Sequence, residues 1–86
     1  MKKIVHVINK ASDPYALDII AGQAKENEVS VVLIQEGVRM EPDLPAVKVF
    51  ALAEDAAERK VRPKVKTIGY EGFLDLILEA DAVVTW

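Results

Sequence analysis

Five short runs rich in β-branched residues, separated by segments with helical patterning, constrain this chain more than any other feature of it. The runs are Ile4–Ile8, Val29–Ile34, Val47–Leu52, Val65–Ile68 and Ala82–Thr85, each of strand length and strand composition. The second run, Val-Ser-Val-Val-Leu-Ile, is nearly continuous rather than alternating, as a central strand covered on both faces requires. Between the runs, Asp13–Lys25 places Ala16, Leu17, Ile20, Ala21 and Ala24 on one stripe, with Asp13 as N-cap and Pro14 at the first helical position. Ala53–Lys60 carries its acids early and its bases late, which matches the helix dipole. Glu71–Ala80 predicts an apolar face made of Phe73, Leu74, Ile77 and Leu78. The stretch Gly37–Pro45, with Pro42 and Pro45, reads as loop with room for one helical turn. Strands alternating with helices predict a three-layer α/β/α, Rossmann-like fold around a mainly parallel five-stranded sheet. A ligand of such a sheet sits beyond the carboxyl ends of the strands, here Asn9–Asp13, Gln35–Val38, Ala53–Asp55 and Gly69–Tyr70.

With 86 residues the expectation is one domain spanning 1–86. An apolar share of 51% with only 6% aromatics implies a core of Val, Ile, Leu and Ala, with apolar surface left over for a subunit contact. The net charge of −3 disfavours direct nucleic-acid binding. There is no cysteine, so no disulfide, thiolate metal site or persulfide-carrying thiol can form. Met1-Lys2-Lys3 and the apolar run after it resemble a signal peptide, but Asn9-Lys10 interrupts that run too soon. No stretch approaches the ~20 apolar residues of a membrane span. A cytoplasmic protein is expected.

Few residues suggest chemistry. His6, the single histidine, has the ordinary pKa of a general base or proton shuttle, yet its place in an apolar strand suits a hydrogen-bonded structural residue better. Ser12, His6 and Asp13 lack the elbow and oxyanion donors of a nucleophilic triad. One histidine and scattered carboxylates supply no metal site, and no cofactor fingerprint is present. Glu54 and Asp55, adjacent on a helix, point apart and read as dipole partners in a first turn. Gln35-Glu36-Gly37 reads equally as a partner-facing turn and as a turn needing Gly37 for a positive φ. Arg59, Lys60, Arg62, Lys64 and Lys66 form the basic cluster, which suits a solvated helix end more than a phosphate surface. Phe73 is expected in the core, and Tyr70 and Trp86 at an interface or rim.

Taken in order, several of these segments resemble the DsrH/TusB family. Val5-His6-Val7-Ile8-Asn9-Lys10-Ala11-Ser12 resembles its first-strand signature, and Leu33-Ile34-Gln35-Glu36-Gly37-Val38 its second strand ending in Gln-Asp-Gly-Val. Val47–Asp55 is similar to its Val-Tyr-Ala-Leu-x-Glu-Asp segment, and Ala57–Lys60 to the Ala-Arg-Gly after it. Ile68-Gly69-Tyr70-Glu71-Gly72-Phe73, Asp81 and the final Trp86 resemble the family's closing helix and terminal tryptophan. The resemblance implies a DsrEFH-like fold and a non-catalytic subunit of a cytoplasmic sulfur-relay complex, serving wobble-uridine 2-thiolation of transfer RNA or sulfur oxidation. Its partners would be cysteine-bearing DsrE/TusD-like and DsrF/TusC-like subunits, or further copies of itself. The partner-facing residues would be drawn from His6, Lys10, Gln35, Glu36, Gly37, Glu54, Asp55, Tyr70 and Trp86. Some members carry a cysteine near the first helix, where this chain has Leu17–Gly22, and that departure removes a direct role in sulfur transfer. The alternative is a stand-alone homodimeric module holding a small anion or nucleotide at the strand-end rim.

Overall fold

The β-branched runs all become strands of one sheet. A computed structural model describes residues 1–86. Its elements in chain order are β1 (Lys3–Ile8), α1 (Pro14–Gln23), β2 (Glu28–Leu33), β3 (Lys48–Leu52), α2 (Ala53–Glu58), β4 (Lys66–Ile68), α3 (Tyr70–Glu79) and β5 (Ala82–Thr85). The five strands lie in the order β4-β3-β2-β1-β5, and every neighbouring pair is parallel. The mainly parallel α/β sheet expected from the sequence is therefore wholly parallel. β2 is the middle strand, and β1 lies between it and the edge strand β5, with Ile4 opposite Val29 of β2 on one side and Ala82 of β5 on the other. The chain winds outward from β1 to β4, and α3 then carries it back across the sheet to β5.

Strand alternation splits the apolar residues between two faces. Ile4 and Ile8 of β1 join Val29, Val31 and Leu33 of β2 in the larger core, which also takes Ile20 of α1 and Ala56 of α2. Val5, Val7 and Val32 face the other way, under Phe73, Leu76 and Ile77 of α3. Two helices thus cover one face and a single helix the other. Asp13 caps α1 as expected, its Oδ1 accepting the Ala16 N–H at 3.1 Å, and Pro14 begins the helix. Of the predicted α1 stripe, Ala16 and Ile20 are buried and Leu17 and Ala24 pack on the core, whereas Ala21 is exposed.

Two expectations need correction, and a third is refined. The segment after β2 is a loop whose one helical turn is a 3-10 turn over Gln35–Arg39, starting two residues earlier than the expected stretch, and Val38, Met40 and Leu44 are buried in the larger core. Gly37 has no positive φ; the left-handed residue is Gln35, at φ 50. What demands a glycine at 37 is proximity, because a Cβ there would run into the carbonyl oxygen of Ile8. On α3, Phe73 and Ile77 do face the sheet, but Leu74 and Leu78 point into solvent, and Leu76 and Ala80 take their places against it. Helix α2 ends in a Schellman-type turn, with Val61 N–H on Ala56 O at 2.9 Å and Lys60 N–H on Ala57 O at 3.1 Å. Lys60 occupies the left-handed position at φ 56, where glycine is the usual residue.

Candidate functional site

Two clusters gather several of the residues singled out in the sequence, one around β1 and β5 and one at the carboxyl ends of β2 and β3. The first is built on β1, α1 and the residue following β5. His6 lies in the middle of β1 on the α1 face and is fully buried. Its Nε2 is 2.6 Å from Gln23 Oε1 in α1, and Trp86 Nε1–H donates to its Nδ1 at 2.9 Å. Because Nδ1 accepts from an indole, it carries no proton; the proton sits on Nε2 and is donated to the Gln23 amide oxygen. The two rings stack with centroids 6.0 Å apart and 20° between planes, and Tyr15 meets Trp86 edge-on at 6.0 Å. The Trp86 backbone N–H also donates to Val7 O at 2.9 Å. In a sheet of this topology the crevice for a ligand opens where outward winding reverses, here between β1 and β5. Trp86 lies at that point, with its ring folded back over His6.

Both imidazole nitrogens are therefore committed, and the ring has no access to solvent. His6 is a hydrogen-bonded structural residue and has no free nitrogen for general base chemistry. Burial holds its pKa below the ordinary value of 6.5, against the smaller upward pull of the Gln23 hydrogen bond. The pH dependence of stability follows in sign. The unfolded histidine takes up a proton near 6.5, the folded one only at lower pH, so in that window the unfolded chain binds more protons. Stability is then complete above about pH 6.5 and falls as pH drops toward the folded value. Urea midpoints measured from pH 8 downward should show this slope before the carboxylates titrate, and His6→Gln should flatten it. An unchanged slope in the variant would remove His6 as its source.

The second cluster sits at the carboxyl ends of β2 and β3. Asp55 Oδ2, in the first turn of α2, accepts the Gln35 N–H at 2.7 Å. Gln35 is thereby held in its left-handed conformation, a strain of about 1–3 kcal/mol that neighbouring contacts must offset. Glu36 receives Arg59 Nε at 2.6 Å and Arg39 Nε at 2.9 Å. The Arg59 hydrogen bond, then that of Arg39, holds the Glu36 carboxyl below its usual range, and Glu36 raises Arg59 in turn. Glu54 points elsewhere, toward Gly69 at the start of α3. The adjacent acids thus do different jobs, Asp55 tying two strand ends together. Lys10 pairs with Asp13 at 3.5 Å on the α1 side, and Tyr70 stands exposed at the start of α3. In the basic cluster, Arg59 is engaged by Glu36 and Lys64 lies 3.6 Å from Glu41.

Neither of the two clefts in the molecule opens at this rim. One, of about 280 Å³, lies near the amino ends of the strands among Lys3, Ser30, Lys48, Phe50, Leu76 and Glu79; the other, of about 130 Å³, lies between α1 and residues 43–47. No group of three or more His, Cys, Asp or Glu residues is placed to hold a metal ion. No helix is long and apolar enough to cross a membrane. Sequence reasoning missed Gln23 and Tyr15, for neither has a local signal: each matters only through contact with His6 or Trp86. No family model matches the chain, and no curated protein does.

Proposed function

We propose that this chain is a non-catalytic, DsrH/TusB-like subunit of a sulfur-relay complex, working in the cytoplasm beside cysteine-bearing subunits of similar fold. The observation that carries this reading is the meeting of His6 and Trp86. Two residues from motifs at opposite ends of the resemblance, 80 positions apart, join through a 2.9 Å hydrogen bond and a stacked ring pair. A fold that depends on that contact gives both motifs one physical reason. The parallel sheet supports the reading too, and a chain without cysteine has no thiolate to attack or carry sulfane sulfur. Its contribution is then to shape and present surface, with the sulfur residing on a partner.

The rival reading, a free-standing binder of a small anion or nucleotide at the strand ends, finds less support. Glu36 is engaged there by Arg39 and Arg59, and neither cleft of the molecule opens at that rim. The test is co-purification of the full chain with cysteine-bearing DsrE- and DsrF-like proteins, combined with a labelled persulfide donor. The expected result is a stable complex in which label remains on the partners and none stays on this chain through gel filtration. Label bound to the isolated chain, or no association with either partner, would overturn the proposal.

A further inference from the structure

The two edges of the sheet are treated differently. The β4 edge is guarded by Pro63, Lys64 and Lys66, the kind of residues that stop one sheet from extending into another. The β5 edge is not. Ala82-Val83-Val84-Thr85 carries no charge and no proline, and it leaves one side of its backbone open. Val83, 43% exposed, pairs with Val5 and so stands on the same face of the sheet as α3.

That helix supplies a second, independent observation. Tyr70, Leu74 and Leu78 recur every four residues along α3 and are 57%, 56% and 73% exposed. Four-residue spacing sets them in one row, while Phe73, Leu76 and Ile77 hold the sheet. The charged residues of α3 are all acidic, and Glu71, Asp75 and Glu79 each follow a member of the row. Successive helical residues are turned about 100° apart, so the row itself is free of charge.

We propose that β5 and the Tyr70–Leu74–Leu78 row of α3 form a two-fold interface with a second copy of this chain. Antiparallel pairing of β5 with its own copy is isologous, and it satisfies the open N–H and C=O groups on both sides. The axis of that pairing stands normal to the sheet, so both copies of α3 lie on the same face of the joined sheet and run antiparallel. Leu74 is then at the centre, with Tyr70 of one copy toward Leu78 of the other. A row symmetric about its middle residue fits itself in this orientation. Charge supports the same occupant: an uncharged strand and an uncharged row meet their equals without opposing like charges, and the carboxylates are left in solvent. The interface is independent of the sulfur-relay reading, since it names a contact between identical chains.

The experiment uses the full chain. Sedimentation equilibrium across micromolar concentrations should show a dimer for the natural sequence. Val83→Lys and Leu74→Glu should each weaken self-association by about a hundredfold or more, because each places an unpaired charge in a desolvated contact. Far-UV circular dichroism of the variants checks that they fold. The absence of cysteine permits a second measurement that needs no disruptive change. Leu74→Cys, treated with a short bis-maleimide, should give a covalent dimer, while the exposed Glu26→Cys on the far side of the sheet should not. A natural chain that stays monomeric, a dimer indifferent to both charged variants, or equal cross-linking at both positions would overturn the proposal; so would a dimer formed only with a different protein.

Discussion

Replacing Gly37 by alanine is expected to destabilise this protein by about 3 kcal/mol or more, at the upper end of what overpacking costs. The added methyl would strike the carbonyl oxygen of Ile8, with the Ile8 carbonyl carbon at 3.0 Å and Asn9 Cα at 3.5 Å. All three are backbone atoms, so no side-chain rotation relieves the clash. The Ile8 oxygen is also fixed, since it accepts the Ile34 N–H at 2.9 Å and so binds the end of β1 to the end of β2. Moving it breaks that bond between two interior strands, where Ile8 itself is fully buried. Gly22→Ala is the control: nothing lies within 4 Å of its new Cβ, and in the last turn of α1 alanine should add up to about 0.5–1 kcal/mol. Thermal melts should move in opposite directions, by about 4–8 °C per kcal/mol for a domain of this size. A Gly37→Ala protein that melts with the natural one would show that the 3-10 turn does not press on β1.

Trp86→Ala is expected to cost about 3 kcal/mol, within the range for removing a large aromatic from a core. The loss has two parts that a second variant separates. Phenylalanine at 86 preserves most of the packing on the larger core and on Tyr15 but cannot donate to His6 Nδ1. Trp86→Phe should then cost about 1–3 kcal/mol, the penalty for leaving a buried acceptor unpaired. Urea denaturation of both proteins at pH 8, where His6 is neutral in either state, measures the two terms without interference from protonation. Equal losses would mean that the hydrogen bond carries the whole effect, and no loss in either would mean that the ring contributes nothing to stability.

The sheet was legible because its signal is local. Val29–Leu33 is apolar at nearly every position, and only a central strand between two layers needs that. The Asp13–Pro14 start of α1 was legible for the same reason, since cap and helix are neighbours in sequence. Residues whose roles depend on distant partners were not. Gln23 and Trp86 lie 17 and 80 positions from His6, and no periodicity connects them. The resemblance marked His6 and Trp86 separately without indicating that they touch. Gly37 drew attention for the wrong physical reason: glycine signals equally a positive φ and a close approach, and only the position of Ile8 decides between them. On α3, apolar residues occupy more than one flank, so the pattern alone does not say which of Phe73, Leu74, Leu76, Ile77 and Leu78 meet the sheet.

The position of β5 beside β1 also sets the order in which the molecule is made. β1 emerges from the ribosome long before β5, yet β5, residues 82–85, is one of its two neighbours. Throughout synthesis β1 can pair only with β2, and the Val-rich border that β5 will later occupy stays open. Pairings this remote in sequence are slow to form, and an open apolar strand is prone to join another chain while it waits. Trp86 reaches His6 only after β5 has been made, and its hydrogen bond then fastens β1 to the residue following β5. A nascent chain halted before residue 82 leaves that side of β1 uncovered and is expected to aggregate more readily than one that includes β5.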